Sequence, residues 1–189
     1  MKDDSELELW GRARRNDGAA FAKLFDLHRD RVYRRALGLM RDPHDAEDLT
    51  AAAFFELWRK RHSVQTVNET ILPWLLVTTV NLSRNMRRST ARYQRLLDSI
   101  PRTAQADGRD AEPNDVRGRL AASLGGLSPV DGALLVLTAL EGFPIAEAAT
   151  AVGLKPATAR VRLHRARSRL RDDLRDLDPS PLPAKGLFT

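Results

Sequence analysis

Apolar residues recur every three or four positions along most of this chain, and the strict alternation of a half-buried strand is scarce. That spacing gathers apolar side chains on one side of a helix and leaves the other side polar. The expected fold class is therefore all-α. A first helix is expected over about 19–40, carried by Phe21, Leu24, Val32, Ala36 and Leu39. Asp42-Pro43 then supplies an N-cap and a proline at the first helical position, with Asp45, Glu47 and Asp48 complementing the helix dipole. This second helix runs to about 61, a polar stretch covers 62–70, and a third helix begins near Pro73 and ends near 94.

Charge divides the same chain. Residues 1–97 carry a net +5, residues 98–115 a net −3 and residues 116–178 a net +3. The middle segment, DSIPRTAQADGRDAEPND, has two prolines and few large apolar side chains, too little to offset the entropy of ordering it. The expectation is two small helical domains, 1–97 and 116–178, joined by a flexible linker at 98–115, with a disordered proline-rich tail at 179–189.

In the second domain, Leu120–Leu124 end at Gly125-Gly126, and Ser128-Pro129 caps a helix carrying Ala133, Leu134 and Leu137. Gly142 stops it. Pro144 opens a short helix to Val152, Gly153 turns the chain, and a longer helix follows from about Pro156 to Leu177. Short helix, glycine turn and basic helix form the helix-turn-helix pattern. From Lys155 to Arg171 there are seven basic residues and no acidic one. Ala159, Leu163, Ala166 and Leu170 make the stripe expected to be buried. Ala157, Thr158, Val161, Arg162, Arg165 and Arg169 fall opposite it, where small or hydroxyl side chains can approach base edges and arginines can meet guanine or phosphate.

A second basic stripe, Arg84, Arg88, Arg92 and Arg95 with Arg87 beside it, lies on the helix that begins at Pro73 and suits a phosphate backbone. The segment DAEDLTAAAFFELW at 45–58 is apolar on nearly every side, more than a small domain can hide, so part of it should meet a partner. Asp45 and Asp48 share a side that would suit a basic partner surface.

Other classes of function are disfavoured. There is no cysteine, hence no thiol nucleophile or thiolate metal site. The four histidines lack metal-ligand spacing, and no phosphate-binding glycine loop or GxSxG elbow occurs. No catalysis, cofactor, metal or small-molecule substrate is expected. The longest uncharged stretch, residues 70–83, contains Pro73 and is too short to span a bilayer, and the acidic N-terminus does not read as a secretory signal. The expected location is the cytoplasm, without membrane insertion.

Three segments, DPHDAEDLTAAAFFELW at 42–58, PWLLVTTVNLSRNMRR at 73–88 and LSPVDGALLVLTALEGFPIAEAATAVGLKPATARVRLHRARSRL at 127–170, together resemble the extracytoplasmic-function (ECF) sigma factors of bacterial RNA polymerase. Members of that family consist of the regions called two and four. The resemblance covers about 17–95 and 116–174. It implies a sigma factor that binds core RNA polymerase and directs promoter-specific transcription initiation. Asp45, Glu47, Asp48 and Leu49 would fall in the helix that docks on the polymerase. The stretch 62–70 and Asn81, Arg84, Asn85, Arg87 and Arg88 would engage the melted minus-ten element of promoter DNA. Thr158, Arg160, Val161, Arg162, Arg165 and Arg169 would serve the minus-thirty-five element. An anti-sigma factor is a common partner in the family and is implied here too. Ala51 stands where a glutamine is common, and Gly132 where an arginine is usual. Two alternatives accompany this reading: a polymerase-independent helix-turn-helix regulator, and a degenerate sigma paralogue acting as an interaction protein.

Overall fold

The computed structural model describes residues 4–40, 42–98 and 123–175. Among them the architecture is all-α apart from one isolated bridge, Val67 to Thr70. The helices are α1 (Glu6–Arg14), α2 (Gly18–Met40), α3 (Pro43–Arg59), α4 (Leu72–Asp98), α5 (Pro129–Leu135), α6 (Ile145–Ala151) and α7 (Pro156–Asp173). Residues 123–126 are also helical, and α5 runs on into a π-helical turn, Val136–Leu140. The linker expected at 98–115 lies, from 99 onward, outside the described residues, as does the tail at 179–189.

The helix starts follow from capping chemistry. Asp42 accepts hydrogen bonds from the backbone N–H of His44 (2.8 Å) and Asp45 (3.1 Å) at the start of α3. Ser128 does the same for Asp131 N–H (3.1 Å) at α5. Gly142 and Gly153 take φ values of +74° and +71°, a left-handed conformation that glycine adopts without a Cβ penalty, and both end helical segments.

Helix α1 was not expected from the sequence. Ser5 and Glu8 form a reciprocal capping box at its start, and Leu9, Trp10 and Ala13 bury its inner side. Glu6 ties it across the bundle. Its Oε1 accepts from Ile71 N–H (2.7 Å) and Thr70 Oγ1 (2.8 Å) and lies 2.9 Å from His28 Nε2 on α2. Burial opposes ionisation of this carboxyl, but His28, the Ile71 N–H and the Thr70 hydroxyl outweigh it and hold its pKa below the ordinary value. The Ser5-to-Glu8 capping pattern was a local signal for this start; the role of Glu6 was not local, since it finds its partners 22, 64 and 65 residues away.

The first cluster, α1–α4, packs α2 and α3 around the first half of α4. Leu24, Leu57, Leu75 and Leu76 are fully buried. The second cluster packs α5, the π-helical turn, α6 and α7 around Leu134, Leu137, Ala148 and Leu163. The two cores are continuous. The two helical clusters expected from the sequence are both present, and the second lies against α4 and the second half of α2.

Candidate nucleic-acid and partner interface

Three surfaces carry the residues singled out by sequence. The first is on α3. Its inner side, Ala46, Leu49, Ala53, Phe54 and Leu57, is buried, while Asp45, Glu47 and Asp48 are exposed. Leu49 departs from its expected contact role: it is fully buried with Ala36 and Ala46, where it orients the helix rather than touching a partner. The apolar surface left uncovered comes from a different set. Phe55 is 66% exposed, and with Ala51, Trp58, Phe21, Phe25 and Phe54 it lines a shallow, almost wholly apolar cleft of about 470 Å³ between α2 and α3. Edge-on ring contacts set the cleft wall: Phe21 to Trp58 at 4.9 Å and Phe25 to Phe54 at 4.7 Å between centroids. Asp48, Ala51, Phe55 and Trp58 follow three-four-three spacing, so a carboxylate and the cleft form one stripe.

The second surface is on α4 and the turn before it. Asn81, Asn85, Arg87 and Arg88 are exposed, as are Arg92 and Arg95 further along. Arg84 departs from them. It is half-buried, and its guanidinium donates to the backbone carbonyls of Gly125 (3.3 Å) and Leu127, while its Nε is buried without a hydrogen-bond partner. Burial first, and then repulsion from Arg88 and Arg87, lowers its pKa. The polar stretch before α4 turns at Asn68 and Glu69, with φ of +52° and +63°. Val67 and Thr70 hydrogen-bond each other's backbone across that turn; Val64 and Val67 are buried and anchor the loop to the bundle, while His62, Ser63, Gln65, Asn68 and Glu69 stay exposed at the base of α4.

The third surface is α7. Ala159, Leu163 and Ala166 are buried as expected. Thr158, Arg160, Val161, Arg165 and Arg169 are exposed, Val161 at 51%. Arg162 does not face outward with them. It donates to Asp131 Oδ1 (2.8 Å) and Ser128 Oγ (3.0 Å), locking α7 onto the cap of α5. A helical wheel could not show this, because Asp131 lies 31 residues away.

Among the described residues, no group of three or more His, Cys, Asp or Glu is placed to hold a metal ion, and no helix is long and apolar enough to cross a membrane.

The sigma-70 region 2 family model matches residues 24–93 and the sigma-70 region 4 model matches residues 117–170. The chain is 36% identical over 152 residues to the ECF RNA polymerase sigma factor SigE of Mycolicibacterium smegmatis, covering 78% of this chain and 58% of that protein. It is 32% identical over 169 residues to the RNA polymerase sigma factor CarQ of Myxococcus xanthus, covering 86% of this chain and 94% of CarQ. In fold it is similar to CnrH, solved with the cytosolic domain of CnrY (TM-score 0.60, 24% identity, 93% of this chain and 99% of that one). It is also similar to the sigma factor RpoE of Bartonella quintana, solved with the anti-sigma factor NepR (TM-score 0.52, 22% identity, 82% and 96%). Both regions match, in order, on a chain whose helices bring an acidic-apolar stripe and two arginine-rich helices together, and the chain belongs to the ECF sigma factors, regulatory proteins rather than enzymes.

Proposed function

We propose that this chain binds core RNA polymerase through the α3 stripe and confers promoter recognition through α4 and α7. The observation that carries the reading is the stripe of Asp48, Ala51, Phe55 and Trp58. It leaves a large aromatic side chain in solvent at the mouth of an apolar cleft, on a helix whose other side is fully packed. Exposed apolar surface beside exposed carboxylates suits a protein partner with a basic, partly apolar face. Asn81, Asn85, Arg87 and Arg88, with the loop at 62–70, would serve the opened minus-ten strand, where a basic groove tracks the backbone. Thr158, Arg160, Val161, Arg165 and Arg169 would serve the minus-thirty-five duplex, with Arg162 positioning α7. The domain boundaries 1–97 and 116–178 belong to the same reading, as do a cytoplasmic place of action and an anti-sigma partner, the latter supported by the company in which the CnrH and RpoE folds were solved.

The test is reconstitution. Gel filtration with core polymerase should give a holoenzyme species for the native chain, and Asp48→Arg should reduce that species at least tenfold while leaving the far-ultraviolet circular dichroism unchanged. Run-off transcription from a promoter library should yield initiated transcripts. A holoenzyme that initiates nowhere would leave the chain as an interaction protein, and no holoenzyme at all would overturn the reading.

A further inference from the structure

The contact between the two clusters is built around one acidic side chain. Glu141 lies just after the π-helical turn, and its side chain is only 6% exposed. Arg31 Nε donates to its Oε2 (2.8 Å), Arg35 donates from Nε (2.8 Å) and a terminal nitrogen to its Oε1, and Arg31 also reaches the Glu141 backbone carbonyl at 3.1 Å. The Arg31 guanidinium in addition stacks over the Phe143 ring at 5.6 Å. Thus two arginines of α2 grip one carboxylate of the second cluster, with several charge-assisted bonds converging on two oxygens.

At the other end of the seam, Arg84 of α4 crosses to the carbonyls of Gly125 and Leu127. That crossing runs over Gly132. A Cβ there would touch Arg84 at 3.8 Å and Val80 at 3.9 Å, so one methyl fits but a long side chain would have to displace α4. A third contact joins Asn68 of the polar loop to Glu147 of α6 at 3.4 Å.

We infer that Glu141 is an intramolecular latch: clasped by Arg31 and Arg35, it closes the second cluster onto the first in the free chain, and this closed form must open before both promoter elements can be read. The closure follows from the contacts alone. The consequence for promoters rests on the proposed function. Elements about 25 base pairs apart lie roughly 85 Å apart at 3.4 Å per base pair, whereas a compact body of this size is roughly 40 Å across. The closed form also engages Arg84, one of the candidate minus-ten residues, with backbone carbonyls.

The native chain has no cysteine, so a donor and an acceptor dye can be placed at Ala22→Cys and Thr150→Cys, exposed positions on α2 and α6. In the full-length free protein, single-molecule energy transfer should give one high-efficiency population. Glu141→Arg should move at least half of the molecules to low efficiency, and so should Arg31→Glu with Arg35→Glu, which touches no core residue. Combining all three substitutions reverses both charges and should restore the high-efficiency population. High efficiency retained in both charge variants, or low efficiency already in the native chain, would overturn the latch whether or not the protein binds polymerase. If the latch holds, Glu141→Gln should also raise the association rate with a duplex carrying both elements several-fold over the native chain. An unchanged rate would refute its role in promoter access.

Discussion

At the level of single residues, charge here has two uses that sequence cannot separate. Arg87, Arg88, Arg160 and Arg165 stand in solvent, whereas Arg31, Arg35, Arg84 and Arg162 hold structure together. Arg84 and Arg162 belong to the same basic stripes as the exposed four, and Arg31 and Arg35 stand outside both stripes. Glu6 shows the same duality for acids: a residue in an acidic N-terminal run proves to pin α1 to the rest of the bundle. Because its folded pKa is held below the unfolded value, its contribution is fully present above the unfolded pKa and is lost as pH falls through the folded one. Glu6→Gln should therefore cost about 1 kcal/mol near neutral pH, and the gap in melting temperature between variant and native chain should close as pH drops below about 4. Thermal melts across that range check this, and a gap that widened in acid would reverse the assigned sign.

At the level of elements, caps and turns were legible because they are local. Asp42-Pro43, Ser128-Pro129, Gly142 and Gly153 act within a few residues of their place in the sequence, and each appears where expected. Gly153→Ala should cost about 1–2 kcal/mol, since alanine must take a left-handed conformation at the helix-turn-helix corner, and Ser128→Ala about 1 kcal/mol through the lost cap. Urea titration measures both. The outward face of α3 was harder to read. It is apolar on nearly every side, so only its neighbours decide that Phe54 goes in and Phe55 stays out. Phe55→Asp should leave stability within about 0.5 kcal/mol yet weaken the association with core polymerase at least tenfold by gel filtration. Unimpaired association would remove the cleft from the polymerase interface.

At the level of the whole molecule, the question is whether the two clusters behave as one unit. All three tryptophans, Trp10, Trp58 and Trp74, lie in the first cluster, so fluorescence follows that cluster while circular dichroism follows both. The continuous core and the clasp at Glu141 predict coincident urea transitions by the two probes in the native chain. Separate transitions are expected once Glu141→Arg releases the second cluster. Divergence in the native chain would mean that the seam adds little stability.

The amino-acid order determined the helices, their caps, the glycine turns and the buried stripe of α7, because these depend on interactions between residues close along the chain. It also carried the family resemblance, since the spacing of apolar, acidic and basic residues within each helix survives in the sequence itself. Only the tertiary structure decided which charges are available to a partner. Glu141 meets Arg31 and Arg35 across more than 100 residues, and the value of an ion depends on the burial and geometry of its partner, neither of which is written in the residues beside it.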